Sequence, residues 1–252
     1  MSSRSAAKTI LITGANAGIG YEFVRQLAAL GHNVYLTSRS EQSGKDAQKK
    51  LKDEHNLDVQ YVELDVTSEG SIKQARDVIE KEEGKLDVLV NNAGFVNGFA
   101  KPSELTPEHM DEILQTNYYG VIRVTTTFLS LIRKAKNGVI LNVSSQVGSH
   151  TSQSEMGDRF PPQVVSYYSS KAILNAYTIS LAKELKEEGI KVNSGTPGLT
   201  ITNFPGTASR ATRPASEGAA CLLPLILIEP EDNKTGTFYG HRVDGTVGEI
   251  PW

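Results

Sequence analysis

Hydrophobic positions along the chain fall into two alternating rhythms. Thr9 to Thr13 (TILIT) is a short β-branched run that stops at Gly14, and the residues beyond it place Phe23, Val24, Leu27 and Leu30 on one helical face. This pattern predicts strand, glycine turn, helix. The same alternation returns as a strand over Asn33 to Ser38, a helix over Ser43 to Glu54, a strand over Val59 to Leu64, a helix over Ser68 to Glu83 and a strand over Leu86 to Asn91. Farther on, Pro107 to Arg133 reads as one long helical stretch and Gly138 to Ser144 (GVILNVS) as a strand buried on both faces. Val164 to Glu187 is helical, Ile190 to Asn193 a strand, and Arg213 to Ile228 a helix that Pro224 kinks or shortens. Strands separated by helices imply right-handed crossovers. The expected fold is therefore α/β: one domain over residues 9–252, a doubly wound parallel sheet with helices on both faces, after a flexible N-terminus at 1–8.

Two segments break the rhythm, 148–163 and 199–212, both rich in Ser, Thr, Gly and Pro. In such a sheet the loops at the carboxyl edge bind ligands, so the first reads as an insertion beside a pocket and the second as a lid. Composition narrows the partner. Charged residues are 22% of the 252 and the formal net charge is -3, so no global field favours nucleic acid or an anionic membrane, and a small neutral or amphipathic substrate fits better. The lone Cys221 cannot form an internal disulfide, and no Cys/His spacing suggests a metal. A reducing, cytoplasmic setting is expected, with Cys221 a small buried residue. Met1 to Lys8 is polar, and no run reaches the roughly 18 apolar residues of a membrane span. A soluble protein is expected.

Candidate chemistry begins at Gly14-Ala-Asn-Ala-Gly18-Ile-Gly20. A turn between a strand and the helix it opens points backbone amides and the helix dipole at a pyrophosphate, the arrangement of a Rossmann-type fold. The spacing Gly-x-x-x-Gly-x-Gly resembles the cofactor motif of the short-chain dehydrogenase/reductase family. Asn91-Asn92-Ala93-Gly94 is similar to that family's second signature, Tyr167-x-x-x-Lys171 to its third, and Pro197-Gly198 with Thr202 to its fourth. Their order from residue 13 to 202 makes the resemblance span most of the chain, and it points to a carbonyl-reductase-like member. It implies cofactor contacts from Gly14, Asn16, Gly18, Ile19, Gly20, Ser38, Arg39, Asp65, Val66, Asn91, Ala93, Gly94, Tyr167, Lys171, Pro197, Gly198, Thr200 and Thr202. The second predicted strand ends Thr37-Ser38-Arg39, where NAD enzymes usually carry an acidic residue for the ribose hydroxyls. Arg39 instead offers a planar, permanently charged fork suited to a 2′-phosphate, so NADP(H) is the expected cofactor; the alternative is a solvated arginine at a strand end. Asp65 either contacts the adenine amine, as the resemblance implies, or caps the helix that begins near Ser68.

Tyr167 and Lys171 lie four apart and share one helical face. A lysine cation there stabilises a phenolate, each unit of pKa depression representing about 1.4 kcal/mol. Tyr167 is thus the candidate proton donor and acceptor, and Tyr168, about 100° round the helix, a pocket wall. Ser144 and Ser145 end a buried strand, which aims them at the ligand edge. The resemblance selects Ser145 to polarise a carbonyl and leaves Ser144 as a backbone cap. It also implies that Asn117 holds a water on Lys171, completing a proton relay.

The 22 residues from Ser145 to Tyr167 exceed the family's commoner spacing, which places an insertion within 148–163. Related carbonyl reductases use longer insertions there to cover an oligomerisation face, so monomer and dimer both stay open. The ending Val247 to Trp252 resembles carbonyl-reductase tails, with Trp252 either near the pocket or closing the core. His150, Glu155 and Asp158 read as solvated loop, His32 and His241 as structural or exposed. The resulting expectation is NADPH-dependent reduction of a ketone or aldehyde. The alternatives are an alcohol or hydroxysteroid dehydrogenase running oxidatively and a non-catalytic NADP(H)-sensing protein.

Overall fold

The computed structural model describes residues 6–96, 99–156, 161–202, 213–242 and 244–252. The expected flexible terminus therefore lies mostly outside the described residues, as do 157–160 of the insertion and 203–212 of the lid.

The first half alternates as its periodicity predicts: β1 (Thr9–Ile12), α1 (Gly18–Ala29), β2 (Asn33–Ser38), α2 (Glu41–His55), β3 (Gln60–Glu63), α3 (Glu69–Glu83) and β4 (Val88–Asn91). Next come α4 (Pro107–Leu114), a π-helical turn at Gln115–Gly120, α5 (Val121–Arg133), β5 (Val139–Val143), α6 (His150–Met156), α7 (Val165–Glu184) and β6 (Lys191–Thr196). The chain closes with the paired dipeptides β7 (Thr200–Ile201) and β8 (Arg213–Pro214), then α8 (Ala215–Ala220), α9 (Leu223–Ile226), β9 (Phe238–His241) and β10 (Val247–Glu249). Among the described residues, eight strands form the main sheet in the order β10-β9-β6-β5-β4-β1-β2-β3.

Why both faces of this sheet are covered is visible in its strands. In β1, Ile10 and Ile12 enter one core and Leu11 the other; in β4, Val88 and Val90 oppose Leu89. A period of two with apolar residues on both sides needs a helical layer on each. Phe23, Val24 and Leu27 of α1, Leu51 of α2 and Leu225 of α9 cover one face. Ile72 and Ile79 of α3, Phe128 and Leu131 of α5 and Leu181 of α7 cover the other.

Three expectations need correction. The sheet is not wholly parallel: β10 pairs antiparallel with β9, a hairpin hidden by sequences (FYGH, VGE) without an apolar run. The stretch 107–133 is interrupted by the π-helical turn around Asn117. The helix expected over 213–228 starts as strand β8 and breaks at Cys221 and Leu222. Pro224 lies in the first turn of α9, where a missing N–H is harmless, whereas a continuous helix would set its ring against an earlier carbonyl.

Candidate active site

A cavity of about 1160 Å³ runs along the carboxyl edge of the sheet. Its first wall is the turn after β1. Gly14 has φ +61, and a Cβ there would lie 2.9 Å from Ala93 Cα, so only glycine lets the β1 turn close on the segment after β4. Thr13 staples the two: its Oγ1 accepts from the amides of Asn92 and Ala93 at 2.9 Å each, while Asn92 Nδ2 donates to the carbonyls of Thr13 and Gly14. Helix α1 then begins without a side-chain cap and with no acidic residue in its first turn. By contrast, α2 and α3 are capped by Ser40 and Ser68 and carry Glu41 and Glu69. Bare amides at the positive end of a helix, lining a cavity at Gly18, Ile19 and Gly20, suit a phosphate.

Gly14, Asn16, Gly18, Ile19, Gly20, Arg39, Asp65, Val66, Ala93, Gly94, Pro197, Gly198, Thr200 and Thr202 all line this cavity, with Ser145, Tyr167 and Lys171. Thr202 closes over the turn, its Cγ2 lying 3.5 Å from a Cβ placed on Gly18. Arg39 is exposed at the β2 end. Asp65 turns back on Thr67, accepting from its amide at 2.8 Å and its hydroxyl at 2.7 Å, while Ser68 caps α3; the capping alternative for Asp65 does not hold. Two expected contacts stand elsewhere. Ser38 is buried beneath the cavity, accepting from the Ser40 amide. Asn91 points into the sheet, donating to Thr125 Oγ1 at 3.0 Å and Asn142 Oδ1 at 2.9 Å. It ties β4 to β5 and α5 rather than reaching the cavity, because it is the last residue inside the pleat and its side chain takes the buried face.

The candidate catalytic set converges from α7 and the end of β5. The Ser145 hydroxyl is hydrogen-bonded to the Tyr167 phenol. Lys171 is buried, its Nζ 5.6 Å from the Tyr167 ring centroid and donating to the Val143 carbonyl at 2.9 Å. Close approach makes this possible: a Cβ on Gly148 would lie 2.8 Å from the Lys171 backbone, so the turn after Ser145 rests directly on α7. Burial pushes the Tyr167 phenol up to about 12 although Ser145 opposes it, and burial alone brings the Lys171 ammonium down to about 8. The expected acidified phenol is thus not a property of the chain alone, since desolvation of both groups exceeds their mutual effect.

The Asn117 side chain is engaged as well. Its Nδ2 donates to the Phe95 carbonyl at 3.0 Å and Ser170 Oγ at 3.1 Å, and its Oδ1 accepts from the Phe95 amide. That amide is committed to fixing the segment after β4 against α7, beside Gly94 and Lys171. Ser144 caps nothing: its Oγ is buried without a partner. Tyr168 is the expected wall, its hydroxyl donating to the Pro161 carbonyl at 3.1 Å.

Sequence reasoning missed the apolar lining of Phe95, Val96 and Phe99 after β4 and a far wall of Arg213, His241 and Arg242 at the β9 end. His241, read as structural or exposed, is half-buried there with Nδ1 unpartnered; only its place after the unseen β9 could have marked it. His32 is structural, accepting from the Lys8 amide, and His150 and Glu155 are exposed but on α6 rather than a loop. Asp158 lies outside the described residues. Trp252 closes the core by stacking on Phe238, while its carbonyl accepts from Thr151 Oγ1 at 2.9 Å and so holds α6. Cys221 packs against the core, its thiol pushed up to about 11 by burial. Among the described residues there is no group of side chains able to hold a metal ion and no helix long and apolar enough to cross a membrane.

A sheet of this order, with a phosphate-ready turn after β1 and a Ser–Tyr–Lys set at its edge, defines a dinucleotide-binding oxidoreductase. Residues 8–212 match the family model described as short chain dehydrogenase, and the chain belongs to that family. It is 33% identical to salutaridine reductase of Papaver bracteatum, the match covering 91% of this chain and 93% of that one. The solved structure of salutaridine reductase from Papaver somniferum is similar over 92% of this chain and 99% of that one, at TM-score 0.77 and 28% identity. A short chain dehydrogenase from Shigella flexneri solved with NADP matches over 92% and 95% of the respective chains, at TM-score 0.76 and 26% identity. A nicotinamide dinucleotide is the cofactor of such an enzyme, and the uncapped α1 with the close-set Gly14 fits its pyrophosphate.

Proposed function

We propose that this enzyme uses NADPH to reduce a ketone or aldehyde to the alcohol. What carries the reading is the meeting of Ser145, Tyr167 and Lys171 in one cavity whose β2 end presents Arg39. Arg39 makes no hydrogen bond or ion pair with any described residue, which leaves its fork available to a 2′-phosphate. A relative named as a reductase and a neighbour solved with NADP support the same choice.

Bound NADPH supplies the hydride for the carbonyl carbon. Ser145 donates to the carbonyl oxygen, and the Tyr167 hydroxyl gives its proton to that oxygen as the alcohol forms. Lys171 stabilises the phenolate left behind, which regains its proton from solvent. Asn117 holds Phe95 and α7 in register for this arrangement. The Tyr167 phenol, pushed up to about 12 by burial, is protonated at physiological pH, the form a proton donor needs.

Consumption of NADPH followed by absorbance against a panel of ketones and aldehydes tests this, with NADH in parallel and alcohols with NADP⁺ as the reverse assay. Turnover of carbonyls by wild type and its collapse in Tyr167→Phe is the expected result. An undiminished rate in Tyr167→Phe removes the mechanism, and faster alcohol oxidation at neutral pH reverses the direction.

A further inference from the structure

Strand order gives the cavity a length. Arg39 follows β2 and His241 ends β9, and the order β9-β6-β5-β4-β1-β2 puts five strand intervals between them, about 24 Å at about 4.8 Å per interval. Ser145 follows β5, two intervals from β9, so about 10 Å separates the reacting centre from the far wall. That wall lies on the opposite side of Ser145 from the glycine turn and Arg39, beside Gly198 after β6.

Arg213 is the anomaly of this wall. It is half-buried and lines the cavity, and it makes no hydrogen bond or ion pair with any described residue. The adjoining sequence 203–212 (NFPGTASRAT) contains no carboxylate. Its position is fixed by β8 pairing with β7, and its Nη1 lies 2.7 Å from where a Cβ on Gly198 would be, the same place His241 Cβ approaches at 2.7 Å. His241 adds a second unsatisfied group, the buried Nδ1. Of the other charges nearby, the Arg242 guanidinium donates to the Glu249 carbonyl and Asp244 accepts from the amide and hydroxyl of Thr246, while the exposed Glu217 acts on His241 through both its backbone carbonyl and its carboxylate. A half-buried guanidinium that lines a cavity presents its planar fork to an anionic group bound there. Phe95, Val96 and Phe99, which follow β4 on the other side of Ser145, add apolar lining to the same cavity.

We propose that Arg213, with His241 beside it, forms a carboxylate subsite, so that the substrates are carbonyl compounds bearing an acidic group several bonds from the reacting carbon. The Arg213 fork donates to both carboxylate oxygens, and the His241 ring lies against the same group. This assignment of substrate class rests on the carbonyl-reduction reading above. Nothing on the Arg39 side does this work, because that end is spent on the dinucleotide.

Matched probes test it: 4-acetylbenzoate and 5-oxo-5-phenylpentanoate, each against its methyl ester, with kcat/KM measured for wild type, Arg213→Gln and Arg213→Lys. Wild type favours the acids, the acid-to-ester ratio falls at least about tenfold in Arg213→Gln as a charge-assisted pair is lost, and Arg213→Lys recovers part of it. Calorimetric binding of 4-acetylbenzoate weakens in parallel, and by more than NADPH affinity does in a fluorescence titration, which separates the acid from a dinucleotide held by the neighbouring Gly198 and Thr200. An acid-to-ester ratio equal in wild type and Arg213→Gln overturns the subsite. So does a ratio that holds while NADPH binding weakens, which would give Arg213 to the dinucleotide. If neither acid nor ester is reduced, Arg213-dependent binding of 4-acetylbenzoate upholds the subsite and the loss counts against carbonyl reduction alone.

Discussion

The two ends of the cavity are built by different means. The dinucleotide end comes from short local units, each a strand, its following turn and the next helix: β1 with Gly14 to Gly20, β2 with Arg39, β3 with Asp65 and Val66. Its contacts are between neighbouring units: the Ala15 amide donates to the Thr37 carbonyl at 2.7 Å, and Thr13 Oγ1 accepts from the Asn92 and Ala93 amides after β4. The substrate end is assembled from segments far apart in sequence: Phe95 and Phe99 after β4, Pro161 and Val164 before α7, Arg213 on β8 and His241 on β9. No one of these has a motif. A binding surface shared by every member of a class can be written into local turns, whereas a surface that selects one substrate is free to vary only where long connections meet.

Tyr167 stands where the ends join, and altering it has the largest expected effect. Tyr167→Phe removes the proposed proton donor without changing the ring, and kcat falls by about a thousandfold, while NADPH binding by fluorescence titration is retained. Arg39→Asp acts on the dinucleotide end only. The ratio of kcat/KM for NADPH over NADH drops by about a hundredfold, the size of a lost bidentate phosphate contact plus a new repulsion, with the acid-to-ester preference untouched. A changed acid preference in Arg39→Asp would break the division between the ends.

Lys171 is common to both and gives a smaller effect with a distinctive sign. Its folded-state pKa of about 8 lies below the ordinary 10.5, so between those values the unfolded chain holds more protons than the folded one. The stability owed to this residue therefore rises as pH climbs from about 8 to 10.5, and below 8 the buried cation costs its full amount, at most about 3 kcal/mol. Lys171→Met escapes that cost but forfeits about 1 kcal/mol with the bond to the Val143 carbonyl. The variant should be more stable than wild type by about 1–2 kcal/mol in urea at pH 7, lose the advantage by pH 10, and be catalytically crippled throughout. A less stable Lys171→Met at pH 7 would show that the ammonium is better solvated than its 5% exposure suggests.

Legibility in the sequence followed the same division. The β1 turn, Arg39, Asp65 and the Tyr167–Lys171 pair could be read because period-two and period-3.6 patterns lie on either side of them and fix which way they point. Asn91 and Ser38 were assigned to the cavity because a strand end does not announce whether its last side chain is on the edge or in the pleat; one residue decides, and each falls on the buried side. Asn117 was legible as purposeful in mid-helix, but its partners Phe95 and Ser170 come from tertiary packing. The hairpin β9–β10 was invisible because Gly240 and Gly248 stand where apolar residues would mark a strand, and with it went His241. The altered ionisation of Tyr167 and Lys171 is likewise a matter of depth, which spacing along a helix does not reveal.

The finest distinction concerns two adjacent hydroxyls. Ser145 is hydrogen-bonded to Tyr167, whereas Ser144, one residue earlier, is 3% exposed with its Oγ unpartnered. A buried hydroxyl without a partner costs about 1 kcal/mol or more, and removing it leaves a void of only one oxygen. Ser144→Ala should therefore raise Tm by about 2–4 °C, the shift of about 1 kcal/mol in a chain of this size, and keep kcat near wild type. Thermal unfolding and the carbonyl assay read both. If Tm falls, or kcat drops tenfold with Tm unchanged, the Ser144 hydroxyl finds its partner when the cavity is filled, and the reacting centre includes both serines rather than the second alone.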